Sequence, residues 1–180
     1  MQLETERLTL RPLALDDLDD LARFVSDPET MRYIGGGGTR TRDQARDTLG
    51  RMIESFRARG YGQLGLVRKK DGAFLGRCGL LIWDRATWTI TDALDRPVET
   101  EVGYLLGREH WGNGYATEAA LAVRDWALAE LGLERLIALI YPDNVRSIRV
   151  AQRLGMEPED EIEIFGHRVT LYSLGKRPAL

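Results

Sequence analysis

The 180-residue chain predicts an α/β (α+β) fold, a mixed sheet with helices on its faces. Three observations predict it. Hydrophobic periods of two and of 3.6 alternate along the chain in the order strand, two helices, three strands, helix, strand, helix, two strands. With 43% hydrophobic and 29% charged residues, the composition is that of one soluble domain able to bury an ample core. No internal repeat and no biased segment interrupts it, apart from the four glycines Gly35–Gly38.

The first strand is RLTLRPL (7–13), where apolar and polar residues alternate. Asp16 is placed to cap a helix whose stripe is Leu18, Leu21, Ala22 and Val25, and Pro28 lies just past it. The second helix carries Ala45, Leu49, Met52, Ile53 and Phe56 on one side. Thr41 and Gln44 form its capping box, and Gly60 its stop. QLGLVRKKDGAFLGRCGLLIW (63–83) reads as two strands around a turn at Lys70-Asp71-Gly72. Residues 84–97 are too long for a hairpin loop, and VETEVGYLL (98–106) resumes the strand pattern. HWGNGYATEAA (110–120) leads into a helix with Leu121, Val123, Leu128 and Leu131 that ends at Gly132. LERLIALIY (133–141) is an apolar strand. Asn144 starts a helix carrying Ile148, Gln152 and Leu154, closed by Gly155, and 159–175 form two strands turning at Gly166.

The formal net charge of -3 argues against general attraction to nucleic acid. A single cysteine, Cys78, permits no internal disulfide and fits a reducing compartment. The N-terminal MQLETERLTLR lacks an apolar signal region, and no run is long enough to cross a membrane, so a cytoplasmic protein is expected. His110 and His167 stand without cysteine or acidic partners at ligand spacing, so no metal site is expected.

The chemistry concentrates in HWGNGYATEAA. Gly112 and Gly114 join the end of a strand to the start of a helix, where free N–H groups and the positive end of the helix dipole favour a phosphate. No Lys-Ser/Thr follows, so the segment is not a Walker loop, and Thr117 stands where G-x-G-x-x-G needs glycine. Spacing alone leaves a pyrophosphate site and a tight structural turn both open.

At these residues the chain resembles the GCN5-related N-acetyltransferases (GNAT), and within them the branch that includes the ribosomal-protein N-terminal acetyltransferases. EVGYLLGREHWGNGYATEAA (101–120) looks like that family's acetyl-CoA-binding core, and NVRSIRVAQRLGM (144–156) like its second signature. The resemblance covers roughly residues 3–175 and implies one N-acetyltransferase domain over residues 1–180, with a mostly antiparallel sheet and helices on both faces. It implies that backbone amides from Trp111 through Gly112, Asn113, Gly114 and Tyr115 to Ala116 wrap the pyrophosphate of acetyl-CoA. Trp111 fills a position where the family pattern has Gln or Arg. The resemblance further implies that the main chain of Tyr104, Leu105 and Leu106 pairs with the pantetheine arm where strand 101–106 splays from 135–141. Asn144 would hydrogen-bond the pantetheine, with Ser147 nearby.

An alkyl amine with a pKa near 10.4 must lose a proton before it can attack, and an α-amine near 7.7–8.0 needs less help. Glu101, opening the strand beside the cleft, is the candidate base, with a solvated strand-end carboxylate as the alternative. Many relatives carry a tyrosine before the Leu-Gly ending as the acid for the leaving thiolate. Val150-Ala151 stands here instead, and Ser147 is the remaining candidate to bond the sulfur, or it merely solvates the helix start. His110 is expected at the surface beside the cradle, His167 near the acceptor site, and Tyr172 in the core or the cleft lining. Gly35–Gly38 is expected to be a hinge or substrate loop, with Arg40 and Arg42 free for an acidic group. Trp83 and Trp88 fit substrate contact, core, or the surface of a homodimer. Cys78, mid-strand and away from both motifs, gives no ping-pong nucleophile. The expected activity is acetyl transfer from acetyl-CoA to a primary amine, a peptide N-terminus or a small molecule, by direct attack in a ternary complex. A catalytically silent CoA-binding sensor or interaction module is the alternative from another class.

Overall fold

The computed structural model describes residues 1–175. Its elements are β1 (Leu3–Glu4), β2 (Leu8–Pro12), α1 (Leu18–Val25), α2 (Pro28–Met31), α3 (Arg42–Arg59), β3 (Gln63–Arg68), β4 (Phe74–Asp84), β5 (Val98–Leu106), α4 (Tyr115–Ala129), β6 (Arg135–Ile140), α5 (Val145–Arg153), β7 (Glu157–Ile164) and β8 (His167–Gly175). One eight-stranded sheet has the order β1-β2-β3-β4-β5-β6-β8-β7, antiparallel throughout except between β5 and β6. That pair is parallel because α4 crosses over between its strands.

The expected class holds, with eight strands where seven are expected. The extra strand, β1, is two residues long, too short to show a period. Four-residue α2, capped by Asp27, escapes the pattern for the same reason. The expected Asp16 cap does not form and α1 has no side-chain cap of its own; the acidic contact falls in the short turn Leu15–Asp17 that leads into it. Asp17, not Asp16, accepts the Ala14 N–H at 2.8 Å, and the same buried carboxylate takes two bonds from Arg11 at 2.9 and 2.6 Å. The α3 capping box forms as expected, Thr41 with Gln44, and Gly60 ends the helix at φ 78°.

Side chains alternate across each strand, so the sheet has two apolar faces. α4 and α5 cover Leu8, Leu64, Cys78, Val102, Leu106 and Ala138, among others. α1, α2 and α3 cover Leu13, Phe74 and Leu105 on the opposite face. A Cβ at Gly107 would stand 2.3 Å from the Phe24 ring, so α1 packs directly on the end of β5. That contact fixes the strand end from which the glycine turn departs.

Candidate active site

The site begins as a fault in the sheet. β5 and β6 share a single register pair, Glu101 with Ile137, and diverge beyond it. Gly107 N–H donates to Leu75 O at 3.0 Å, which makes these two a hydrogen-bonded pair of the β4–β5 ladder. Alternation along that ladder turns the main-chain groups of Val102, Tyr104 and Leu106 away from β4, toward the gap. Leu105 is the exception to the expected main-chain set. Its carbonyl faces β4, where a Cβ on Gly76 would stand 2.1 Å from it, so it offers the gap no polar group.

Glu101 occupies the point of divergence. The next parallel rung would take Leu139 N–H to the β5 backbone, but that N–H reaches Glu101 Oε1 at 3.3 Å. Trp83 Nε1 donates to Glu101 Oε2 at 2.7 Å. The carboxylate is therefore buried, and burial raises its pKa above the ordinary carboxylate value, opposed by the bonds from Trp83 and Leu139 and by the charge of Arg77. A solvated strand-end carboxylate does not describe it. A carboxylate held this way retains a proton more readily than one in water, as a general base near neutral pH requires.

Glu101 lines a cavity of about 190 Å³ together with Tyr104, Asn144 and Ser147, so four of the expected residues meet in one place. The Tyr104 hydroxyl engages Ser147, and burial drives the phenol's pKa up against that bond. Asn144 caps α5, its Oδ1 accepting the Ser147 N–H at 3.3 Å, so the cap and the cleft residue are one unit. Val150 and Ala151 line the wall where many relatives place a tyrosine.

The glycine turn lies beyond the open end of β5. Gly112 and Gly114 have φ of 78° and 81°, a left-handed conformation that side chains resist. A Cβ on Gly112 would meet nothing within 4 Å, so conformation and outside access, not internal crowding, demand glycine there. Gly114 caps α4, and the first intrahelical bond runs from Glu118 N–H to Gly114 O at 3.0 Å. The preceding amides, through Tyr115 and Ala116, have no intrahelical acceptor and open onto the surface. Trp111 ties this turn to the cleft, its Nε1 donating to Leu106 O at 2.9 Å while the Arg146 guanidinium lies 4.7 Å above its ring. Bare backbone, a helix N-terminus and flanking cations fit a pyrophosphate, and the unpaired β5 edge fits an extended amide-bearing arm.

The device that holds the turn is not legible in the residues alone. Glu118 accepts Thr5 Oγ1 at 2.5 Å, Arg7 N–H at 2.8 Å and Arg7 Nε at 2.7 Å, and Arg7 Nη1 reaches Asn113 O at 2.9 Å. Burial would raise the pKa of Glu118, but the bonds from Thr5 and Arg7 win and hold it below the ordinary value. The signal was a lone acidic residue in the first turn of a helix, which reads equally well as a dipole partner.

Other expectations fall elsewhere. His110 packs edge-on against Phe24, 5.9 Å between ring centres, outside the cavity, with its pKa lowered by burial. Exposed His167 contacts Tyr141, which lines the cavity. Tyr172 is core. Trp83 is core and cleft at once, and Trp88 is partly buried against the same small cluster. Cys78 is buried and its thiol pKa is pushed up to about 12, so it is no nucleophile near neutral pH. The loop Gly35–Gly38 reaches the cavity mouth, where a Cβ on Gly36 would lie 3.5 Å from Phe165 Cβ. Arg40 and Arg42 are not free for a ligand. Arg40 staples the loop by donating to Gly38 O and Gly35 O, and Arg42 pairs with Asp19. Among the described residues no cluster of three or more His, Cys, Asp or Glu could hold a metal, and no helix is long and apolar enough to cross a membrane.

Comparison with known proteins gives the family and the fold. The pattern of the acetyltransferase (GNAT) domain matches residues 7–157. A Bacillus licheniformis protein described as the uncharacterized N-acetyltransferase p20 is 34% identical over 158 residues, 87% of this chain and 83% of its own. A GNAT-family acetyltransferase structure from Bacillus anthracis superposes with a TM-score of 0.79 at 22% identity, covering 97% of this chain and 98% of that one. RimL, described as a ribosomal L7/L12 alpha-N-protein acetyltransferase in complex with coenzyme A, gives 0.76 at 16% identity over 97% and 98%. At those identities the two structures speak to the fold. With the domain matched over most of its length, the chain belongs to the GNAT family of acetyltransferases and uses acetyl-CoA as its co-substrate.

Proposed function

We propose that residues 1–180 form one N-acetyltransferase domain that moves the acetyl group of acetyl-CoA to a primary amine by direct attack in a ternary complex. The observation that carries this reading is Glu101, a buried carboxylate with a raised pKa at the point where β5 leaves β6. In this reading the amides of Gly112 to Ala116 hold the pyrophosphate, because the expected first member, the Trp111 N–H, already donates to Arg108 O at 3.1 Å. The main chain of Tyr104 and Leu106 pairs with the pantetheine, with Asn144 beside it. A free amide of β5 polarises the thioester carbonyl. Glu101, directly or through water, takes the proton that frees the amine nitrogen to attack. As the C–N bond forms and the C–S bond breaks, the Ser147 hydroxyl, backed by Tyr104, bonds the departing sulfur. A thiol with an ordinary pKa near 8.5 needs little more help to leave. Positioning supplies much of the acceleration. The inert Cys78 and the relative described as an N-acetyltransferase support direct transfer to nitrogen.

The test is release of free thiol from acetyl-CoA with a panel of N-terminal peptides and small amines, with thermal stabilisation by acetyl-CoA measured in parallel. Thiol release that depends on both substrates supports the reading. Acetyl-CoA binding without release on any amine replaces it with the CoA-binding sensor.

A further inference from the structure

Beside Glu101, on the same face of the sheet, the cavity wall contains a cation that the proposed transfer does not use. Gly79 and Gly103 are cross-strand partners on β4 and β5 and put no side chain there; Gly79 is closely covered by the Gly62 carbonyl, while Gly103 leaves room beside Leu81. Gln63 and Arg77 lie over this face, Arg77 Nη1 donating to Gln63 Oε1 at 2.5 Å. A Cβ on Gly103 would stand 3.8 Å from both Gln63 Nε2 and Glu101 Cδ, so these two atoms are separated by at most twice that distance. The bond to neutral Gln63 is the only hydrogen bond Arg77 makes among the described residues. Arg77 is only partly buried, and it lines the cavity. Burial lowers its pKa to about 10, against the attraction of Glu101, so the guanidinium stays charged at neutral pH.

The lining thus carries one cation and one carboxylate, Arg77 and Glu101, while the remaining wall is neutral and largely apolar and includes the rings of Tyr33, Trp83, Tyr141 and Phe165. A half-buried guanidinium at a cavity wall, bonded only to a neutral amide, complements an anion with planar, paired acceptors. A carboxylate near an amine, on a body that is otherwise apolar, complements this arrangement group by group.

We propose that the acceptor is a free α-amino acid with a large apolar or aromatic side chain, its carboxylate bound by Arg77, its amine presented to Glu101 and its side chain against the Trp83–Phe165 wall. This rests on the N-acetyltransferase reading. The ammonium loses one proton through Glu101 to solvent and a second to the sulfur, leaving an N-acetyl amino acid and free coenzyme A. A peptide N-terminus offers a neutral amide in place of the carboxylate, and a simple amine offers nothing to Arg77.

The experiment compares phenylalanine, phenylalaninamide, 2-phenylethylamine and a peptide beginning with phenylalanine, by thiol release, in the wild type, Arg77→Met and Arg77→Lys. The wild type is expected to favour phenylalanine over the other three by about 10- to 100-fold in kcat/KM, the worth of charge-assisted hydrogen bonds. Arg77→Met is expected to collapse that ratio toward one, mainly through KM, and Arg77→Lys to restore part of it. Acetyl-CoA binding and Tm report whether each variant is folded. Equal use of the amide, amine or peptide by the wild type overturns the inference and leaves N-acetylation standing, and this comparison decides even if Arg77→Met fails to fold. Loss of turnover on all four acceptors alike in a folded Arg77→Met overturns it as well. Thiol release with no amine at all, in a broader panel, would instead sink the N-acetyltransferase reading.

Discussion

Glu101→Gln separates the two jobs the carboxylate can do. The structure gives it two donors, Trp83 Nε1 at 2.7 Å and Leu139 N–H at 3.3 Å. Glutamine has one carbonyl oxygen, so one donor keeps its acceptor and the other faces an NH₂ group. The lost bond costs about 1–3 kcal/mol, and relief of a buried charge offsets part of that, so the expected net loss is about 1 kcal/mol, or roughly 2–4 °C in Tm. The pH dependence has a definite sign. Because the folded pKa is raised, the cost of burying the charge is present above that pKa and vanishes as pH falls through it. The wild type therefore gains stability relative to Glu101→Gln on moving from neutral pH toward the ordinary carboxylate value. Catalysis loses far more, since a positioned base contributes about 10²–10⁴-fold. The kcat/KM profile of the wild type should show an acid limb above the ordinary carboxylate pKa. In the variant that limb disappears, and the deficit narrows at high pH as the amine deprotonates unaided. Stopped or continuous thiol assays across pH 5–10 measure both. A folded Glu101→Gln enzyme with a near-normal rate and an unmoved acid limb would refute the base and leave only the strand-holding role.

Three further changes probe the surroundings. Gly114→Val puts a branched side chain at φ 81°, which should cost about 1–2 kcal/mol of stability and weaken acetyl-CoA binding by calorimetry; unchanged affinity would remove the cradle. Phe165 sits at φ 55° in the two-residue turn with Gly166, a position that favours Asn, and more than half of it is exposed at the cavity mouth. Phe165→Asn should raise stability by about 1 kcal/mol while raising the acceptor KM, and a fall in both stability and KM would contradict this. Glu118→Gln should lower stability by about 1–3 kcal/mol at neutral pH. Since the pKa of Glu118 is depressed, the gap between wild type and variant should close as pH falls below the ordinary carboxylate range, and a gap independent of pH would show that the charge is irrelevant.

Much of this was legible in the residues because it is carried by backbone and periodicity. Gly112, Gly114 and the Asn144 cap announce themselves by type and spacing, and the structure places them at the expected junctions. The role of Glu101 was legible only as a location, the start of a strand beside the cleft; its burial depends on Trp83 and Leu139 arriving from two other strands. Arg77 was missed for a related reason. In FLGRCGLLIW it reads as an ordinary outward residue, and only the glycines at 79 and 103 show that its face of the sheet is the inner one. The signal was there as a charged residue flanked by glycines in an otherwise apolar strand. Asp17 outcompeted Asp16 because only its side chain also meets Arg11, a tertiary contact that no capping rule contains.

The single register pair between β5 and β6 has a consequence for how the molecule holds together. Strands β1 to β5 and the trio β6, β8 and β7 are two hydrogen-bonded blocks, which share one backbone register pair, Glu101 with Ile137, and are otherwise held by side chains such as the buried Arg135–Glu99 ion pair and by helix packing. A ligand that lies in the gap and bonds the free edge of β5 supplies rungs the chain itself lacks. Its binding energy then enters the cooperativity between the blocks as well as the affinity, so the two halves should open more independently when the gap is empty than when it is filled.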